Sequence, residues 1–126
     1  MFDKLFAICL LVDDFDKSLE FYTDTLGLKI AHQEEGFAGF KLEGTEMAIF
    51  QKDAATAMFP KEHMGSGGGV NIGFLVNDVA KTCEELKTKG VEIFEGPKET
   101  PWGQKVAYFK DPDNNIWEIS EPFEEK

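Results

Sequence analysis

The feature that most constrains this chain's fold is an internal repeat. Leu11-Val12-Asp13-Asp14 is followed by Lys17, Glu20, Gly27, Leu28 and Ile30, and Leu75-Val76-Asn77-Asp78 by Lys81, Glu84, Gly90, Val91 and Ile93. The offset is 64 residues at the start and 63 at the glycine, so one residue is lost inside the intervening helix. In each copy an apolar strand runs into an Asp-bearing turn, where a side-chain oxygen can cap the first free amides of a helix. A glycine then closes that helix, since it alone takes the left-handed conformation at little cost. Phe15, Leu19, Tyr22 and Leu26 give the first helix an apolar stripe, and Val79, Cys83 and Leu86 a shorter one to the second. Further strands are expected at 29–33, 37–42 and 46–51, and at 91–94, 105–109 and 116–120. Turn residues at Gly44-Thr45 and Asp111 to Asn115 join the last pair in each set. Each copy therefore reads β-α-β-β-β. The expected fold class is α+β: one domain, 1–126, of two βαβββ modules (about 5–51 and 70–120) joined by a linker, 52–69. The linker's glycines precede an apolar strand rather than a helix opening with Lys and Ser or Thr, so they read as a flexible connection and not as a phosphate loop.

Strand alternation assigns faces. Phe6, Ile8, Leu10 and Val12 run into the helix turn and belong under the helices, leaving Leu5, Ala7, Cys9 and Leu11 on the inner face. By the repeat, Asn71, Gly73 and Leu75 also face inward. Aligning Ala48 and Phe50 with Trp117 and Ile119 turns Met47, Ile49 and Gln51 inward, together with Ile116, Glu118 and Ser120. The four equivalent inner positions are then Ala7, Ile49, Asn71 and Glu118. An inward carboxylate in so apolar a strand needs hydrogen bonds, solvent or a metal. The plainer alternative makes Glu118 a solvated wall or a dimer contact.

Acids outnumber bases 24 to 13, a net charge of −11. That excludes a phosphate-neutralising nucleic-acid binder and disfavours an anionic membrane surface. It permits a cationic ligand, which an acidic protein would steer inward. Cys9 and Cys83 lack the spacing of a zinc or redox motif. The apolar run from Leu5 to Val12 is too short to span a bilayer and is flanked by Asp3, Asp13 and Asp14, so a cytoplasmic location is expected.

Several segments carry a family resemblance: Val12 to Tyr22 (VDDFDKSLEFY), Leu26-Gly27-Leu28, Thr100-Pro101-Trp102-Gly103, and Asp111 to Glu118 (DPDNNIWE). With them the chain, from about Leu5 to Pro122, resembles the vicinal oxygen chelate superfamily, which includes glyoxalase I, the bleomycin-resistance proteins and extradiol dioxygenases. The resemblance implies paired βαβββ modules in a cupped mixed sheet around a cleft, and a homodimer. It also implies, in metal-dependent members, an ion held by one His or Glu from each of four inner strands. At the matching positions Ala7 and Ile49 have no donor atom and Asn71 offers a weak neutral oxygen, so Glu118 is the one retained ligand. No metal site is expected from that set. His32, at the end of a strand, and His63, in the linker, read as surface polar residues.

The expected activity is metal-independent binding, or sequestration, of a small organic ligand, of cationic type. The expected lining is Ala7, Cys9, Phe40, Ile49, Phe59, Asn71, Trp102 and Glu118. Trp102, in a polar loop with no apolar periodicity around it, is suited to stacking on a planar or cationic ligand. Cys9 reads as a small hydrophobe rather than a nucleophile. No cofactor is expected. The alternative is a metal-dependent lyase or isomerase of the glyoxalase I type with an altered ligand set. In a metal-free enzyme Glu118 would be the catalytic base.

Overall fold

The computed structural model describes residues 1, 3 and 5–122. Two compact units divide the chain, Met1–Gly65 and Ser66–Lys126. The first contains β1 (Ala7–Val12), α1 (Phe15–Glu20, continued by a π turn over Phe21–Thr25), β2 (Lys29–Glu34), β3 (Phe37–Lys41) and β4 (Glu46–Gln51). A helical turn, α2 (Lys52–Ala55), and a 3-10 turn, Lys61–His63, follow. The second contains β5 (Asn71–Leu75), α3 (Val79–Thr88), β6 (Ile93–Glu99), β7 (Lys105–Lys110) and β8 (Ile116–Ser120). Each sheet is mixed, with strand order β1-β4-β3-β2 in one and β5-β8-β7-β6 in the other. The first and last strands of each unit pair in parallel and the remaining pairs are antiparallel. The α+β class and the βαβββ order expected from the repeat are what each unit shows.

The helix starts follow from the Asp-bearing turns. Asp14 accepts from Lys17 N at 3.1 Å and Asp78 from Lys81 N at 3.0 Å, each satisfying one free amide at a helix start. A second device in each unit comes from the end of the last strand: Gln51 closes β4 and Glu121 follows β8. Gln51 Oε1 accepts from Phe15 N at 2.8 Å, and Glu121 Oε2 accepts from Val79 N at 3.0 Å. Phe15 and Val79 are equivalent positions, so Gln51 and Glu121 are too, and the repeat offset along the last strand is 70 residues.

One face of each sheet packs on its helix. In the first unit Leu10, Val12, Ala38, Phe40, Met47 and Ile49 are buried. Tyr22 is wholly enclosed, its ring 5.7 Å from Phe40. Ser18 and Tyr22 are the buried positions along this helix, while Phe15, Leu19 and Leu26 are half-buried. The helix widens over its last turn, with Leu26 N donating to Phe21 O, and this i→i+5 step shifts the phase of the stripe. In the second unit Val79, Cys83 and Leu86 of α3 pack on the sheet, and Trp117 stacks on Phe74 with centroids 4.6 Å apart.

Two expectations about connections change. The segment after β4 is not structureless: Lys52 is 7% exposed, its ammonium 2.8 Å from Asp13, and Ala55 is fully buried. Strand β6 runs on past its expected end at 94 to Glu99. Gly96 makes this possible, since its φ is +88° and a Cβ there would lie 2.7 Å from Val106 O. The sheet thus absorbs Gly96-Pro97 as an irregularity between the pairs Ile93/Phe109 and Lys98/Val106.

Candidate functional site

The faces turned away from the helices hold the candidate site, and each unit has its own. In the first unit the register pairs Ala7 with Glu46, Cys9 with Ala48 and Gly39 with Ala48, which puts all of them on the open face. Phe37 joins them, its ring 5.5 Å from Phe50 and 6.2 Å from His32. A pocket of about 400 Å³ lies here, lined by small and apolar groups with Glu46 and His32 among them. Ala7 and Cys9 are therefore where the alternation put them. Burial pushes the Cys9 thiol up from its ordinary value, so it is a poor nucleophile. His32 reaches the pocket from β2 itself, with no loop folding over it.

Ile49 does not belong to this face, whereas Phe40 lines the pocket as expected, although its ring also packs against Tyr22. Ile49 pairs with Leu10 and Ala38, is fully buried, and lies on the helix side. The expected alignment of β4 against β8 is one residue out. The 70-residue offset set by Gln51 and Glu121 makes Ala48, not Ile49, the counterpart of Glu118. By register the open-face residues of β4 are Glu46, Ala48 and Phe50, and Ile49 and Gln51 turn the other way, while Met47 still lines the pocket. Phe40 turns its ring against Tyr22, and Phe37 takes the open-face position. Phe59 is 37% exposed in the segment after α2, outside this pocket's lining.

In the second unit the open face carries Asn71, Gly73 and Leu75, paired with Ile116, Glu118 and Ser120. Here the sequence reading of β5 and β8 agrees with the register. Glu118 is half-buried and held from both sides. Asn71 Nδ2 lies 3.4 Å from Glu118 Oε1, and the Tyr108 phenol donates to the same carboxylate. The Tyr108 hydroxyl is pushed up to about 12, first by that hydrogen bond, then by desolvation and by the charges of Glu118 and Glu95. It therefore stays a proton donor throughout the neutral range. Trp102 is 62% exposed in the turn after β6, its indole N–H donating to Gln104 Oε1 at 3.2 Å.

Tyr108 is a candidate-site residue that sequence reasoning missed. The signal was the hairpin: strands ending at Lys110 and resuming at Ile116 pair Tyr108 with Glu118 directly. Glu46 and Phe37 were missed with the β4 register and the β3 face.

The donor chemistry does not fit a divalent ion. The first unit offers Ala7 and Ala48 at the positions that matter, and neither has a donor atom. The second offers one carboxylate, an amide and a phenol that keeps its proton. Among the described residues no three His, Cys, Asp or Glu side chains come together as a metal site. No described helix is long and apolar enough to cross a membrane.

Known proteins with related sequences and folds include the uncharacterized protein YraH of Bacillus subtilis. It is 37% identical over 123 residues, covering 92% of this chain and 96% of that protein. A probable lactoylglutathione lyase of Vibrio cholerae is 29% identical over 125 residues, covering 92% and 88%. A glyoxalase/bleomycin resistance protein/dioxygenase from Nocardioides, known from a crystal structure, superposes with a TM-score of 0.84 at 25% identity, covering 100% of this chain and 87% of that one. The family model of the Glyoxalase/Bleomycin resistance protein/Dioxygenase superfamily matches residues 4–119, nearly the whole of both βαβββ units, and the chain belongs to that superfamily.

Proposed function

We propose that this protein binds a small organic ligand bearing positive charge, without a metal ion, and holds it rather than transforming it. The observation that carries the reading is the open-face pocket of the first unit. At about 400 Å³ it suits a small molecule, its walls are largely apolar, and Glu46 is the carboxylate on it. Glu118 supplies a second open-face carboxylate in the other unit. The net charge of −11 would draw a cation toward both. Sequestration of a cationic antibiotic of the bleomycin type is one form of this activity. In the first unit Ala7, Cys9, Phe37, Phe40 and Ala48 belong to the proposed lining; in the second, Asn71 stands beside Glu118 and Trp102 is exposed.

In this reading residues 1–126 work as one domain in a cytoplasmic homodimer. Leu5 and Phe6 in the first unit are 67% and 82% exposed and Leu75 in the second is 69% exposed, apolar groups that a second copy would cover. Nucleic acid and membranes are not partners.

A second reading is favoured by the resemblance to proteins named as lactoylglutathione lyases. It is a metal-dependent lyase or isomerase with an altered ligand set around Glu118. The absence of donor atoms at Ala7 and Ala48 weighs against it.

The test is calorimetric titration of the full chain with bleomycin and simple aromatic ammonium ions, their neutral isosteres, and a glutathione conjugate. Cations should bind, more weakly as salt rises, while neutral isosteres bind less well. Preference for the anionic conjugate, or turnover of it on adding a divalent metal, would overturn the proposal in favour of the second reading.

A further inference from the structure

Tyr108 and Glu118 lie directly opposite each other on β7 and β8, and Gly73 lies opposite Glu118 on β5. The glycine leaves the carboxylate uncrowded on that side: a Cβ at position 73 would stand 3.6 Å from Oε2. Tyr108 from one flanking strand and Asn71 from the other both donate to the carboxylate. Both donors are neutral, so they fix the group in space without compensating its charge. A carboxylate accepts about four hydrogen bonds, so two such donors leave acceptor capacity unused.

We infer that Tyr108 is a positioning residue, holding Glu118 with Asn71 so that its carboxylate stands as a preset anchor for a ligand's ammonium group. This deepens, and rests on, the reading of the open face as a cation-binding surface. An ammonium supplies both the missing charge and the N–H donors, and charge-assisted hydrogen bonds of that kind are the strong ones. The side-chain entropy of Glu118 is lost on folding rather than on binding, which favours affinity. The Tyr108 ring adds an aromatic surface beside the anchor. Its neighbour Phe94, with centroids 6.1 Å apart, already has the Lys110 ammonium over its ring at 5.3 Å.

The experiment uses the full chain as wild type, Y108F and E118Q, with far-UV circular dichroism to verify each fold. The sequence holds two tyrosines, so phenolate absorbance on alkaline titration resolves Tyr108 from buried Tyr22. Tyr108 should ionise near 12 in wild type and nearer the ordinary value of about 10 in E118Q. Unchanged ionisation in E118Q would overturn the contact itself. Benzylammonium, titrated calorimetrically, should bind about 3- to 10-fold more weakly to Y108F, and weaker still to E118Q. Benzyl alcohol should not distinguish the three proteins. Equal benzylammonium affinity in wild type and Y108F would overturn the positioning role. Failure of wild type to bind benzylammonium, with the tyrosine titration as expected, would overturn the cationic-ligand reading and the anchor with it, while leaving the Tyr108–Glu118 contact standing.

Discussion

Replacing Ile49 with alanine separates the two possible registers of β4. Ile49 is fully buried on the helix side, paired with Leu10 at 9% exposure and Ala38 at 0%. The substitution removes three carbons, which at roughly 0.8 kcal/mol per buried methylene is about 2.4 kcal/mol of lost transfer energy. The cavity left behind adds to this, since Leu10 and Ala38 belong to paired strands that cannot close on it freely. A total of about 3–4 kcal/mol is expected, inside the ~2–5 kcal/mol range of such truncations. On the open face, beside a pocket, the same change would cost under ~1 kcal/mol. The assay is urea unfolding followed by far-UV circular dichroism, because both tryptophans, Trp102 and Trp117, lie in the second unit and report poorly on the first. The midpoint should fall with little change in slope. A loss below ~1 kcal/mol would refute the register, and with it the equivalence of Ala48 and Glu118.

Three further outcomes follow from the same contacts. A48L should fill the first unit's pocket and weaken ligand binding by ~10-fold or more in calorimetry, while stability changes less than in I49A. G96A should lower the thermal midpoint by several degrees, because the site has φ +88° and its new Cβ would meet Val106 O at 2.7 Å. Stability should fall at high pH: Tyr108 binds its proton more tightly folded than unfolded, so its contribution is complete below pH ~10 and is lost as pH rises toward about 12. Urea midpoints measured across that range check this, and Y108F should flatten the decline.

The sequence carried the fold through local signals that reinforced one another. Asp14 and Asp78 marked the helix starts, Gly27 and Gly90 their ends, and the repeat required that both halves be built alike. The inner face of β1 was legible because Val12 runs into the helix turn, and the repeat carried that assignment to β5; in β8 Glu118 stands between Trp117 and Ile119. Strand β4 was not legible, because Met47-Ala48-Ile49-Phe50 is apolar throughout, and a run without alternation leaves its face undetermined. What fixes it is a polar residue at its end, Gln51, bonded across the turn to Phe15 N and to Asp13 O. Phe37 and Phe40 are three apart on one strand and face opposite ways, yet both line the pocket, which composition alone does not show. Strand β6 was cut short because Gly96-Pro97 reads as a breaker, whereas the sheet accommodates it where β7 leaves no room for a side chain. Tyr108 depended on pairing across a hairpin, which a face-by-face reading of single strands does not consider.

The central claim is that this member of the superfamily binds its ligand without a metal. It is tested most directly by calorimetric titration of Zn²⁺, Ni²⁺ and Mn²⁺ into the full chain after chelator treatment. With alanine at positions 7 and 48, and one carboxylate held by a phenol and an amide in the second unit, no tight stoichiometric binding should appear. One ion bound tightly per chain, with the binding lost in E118Q, would contradict the account.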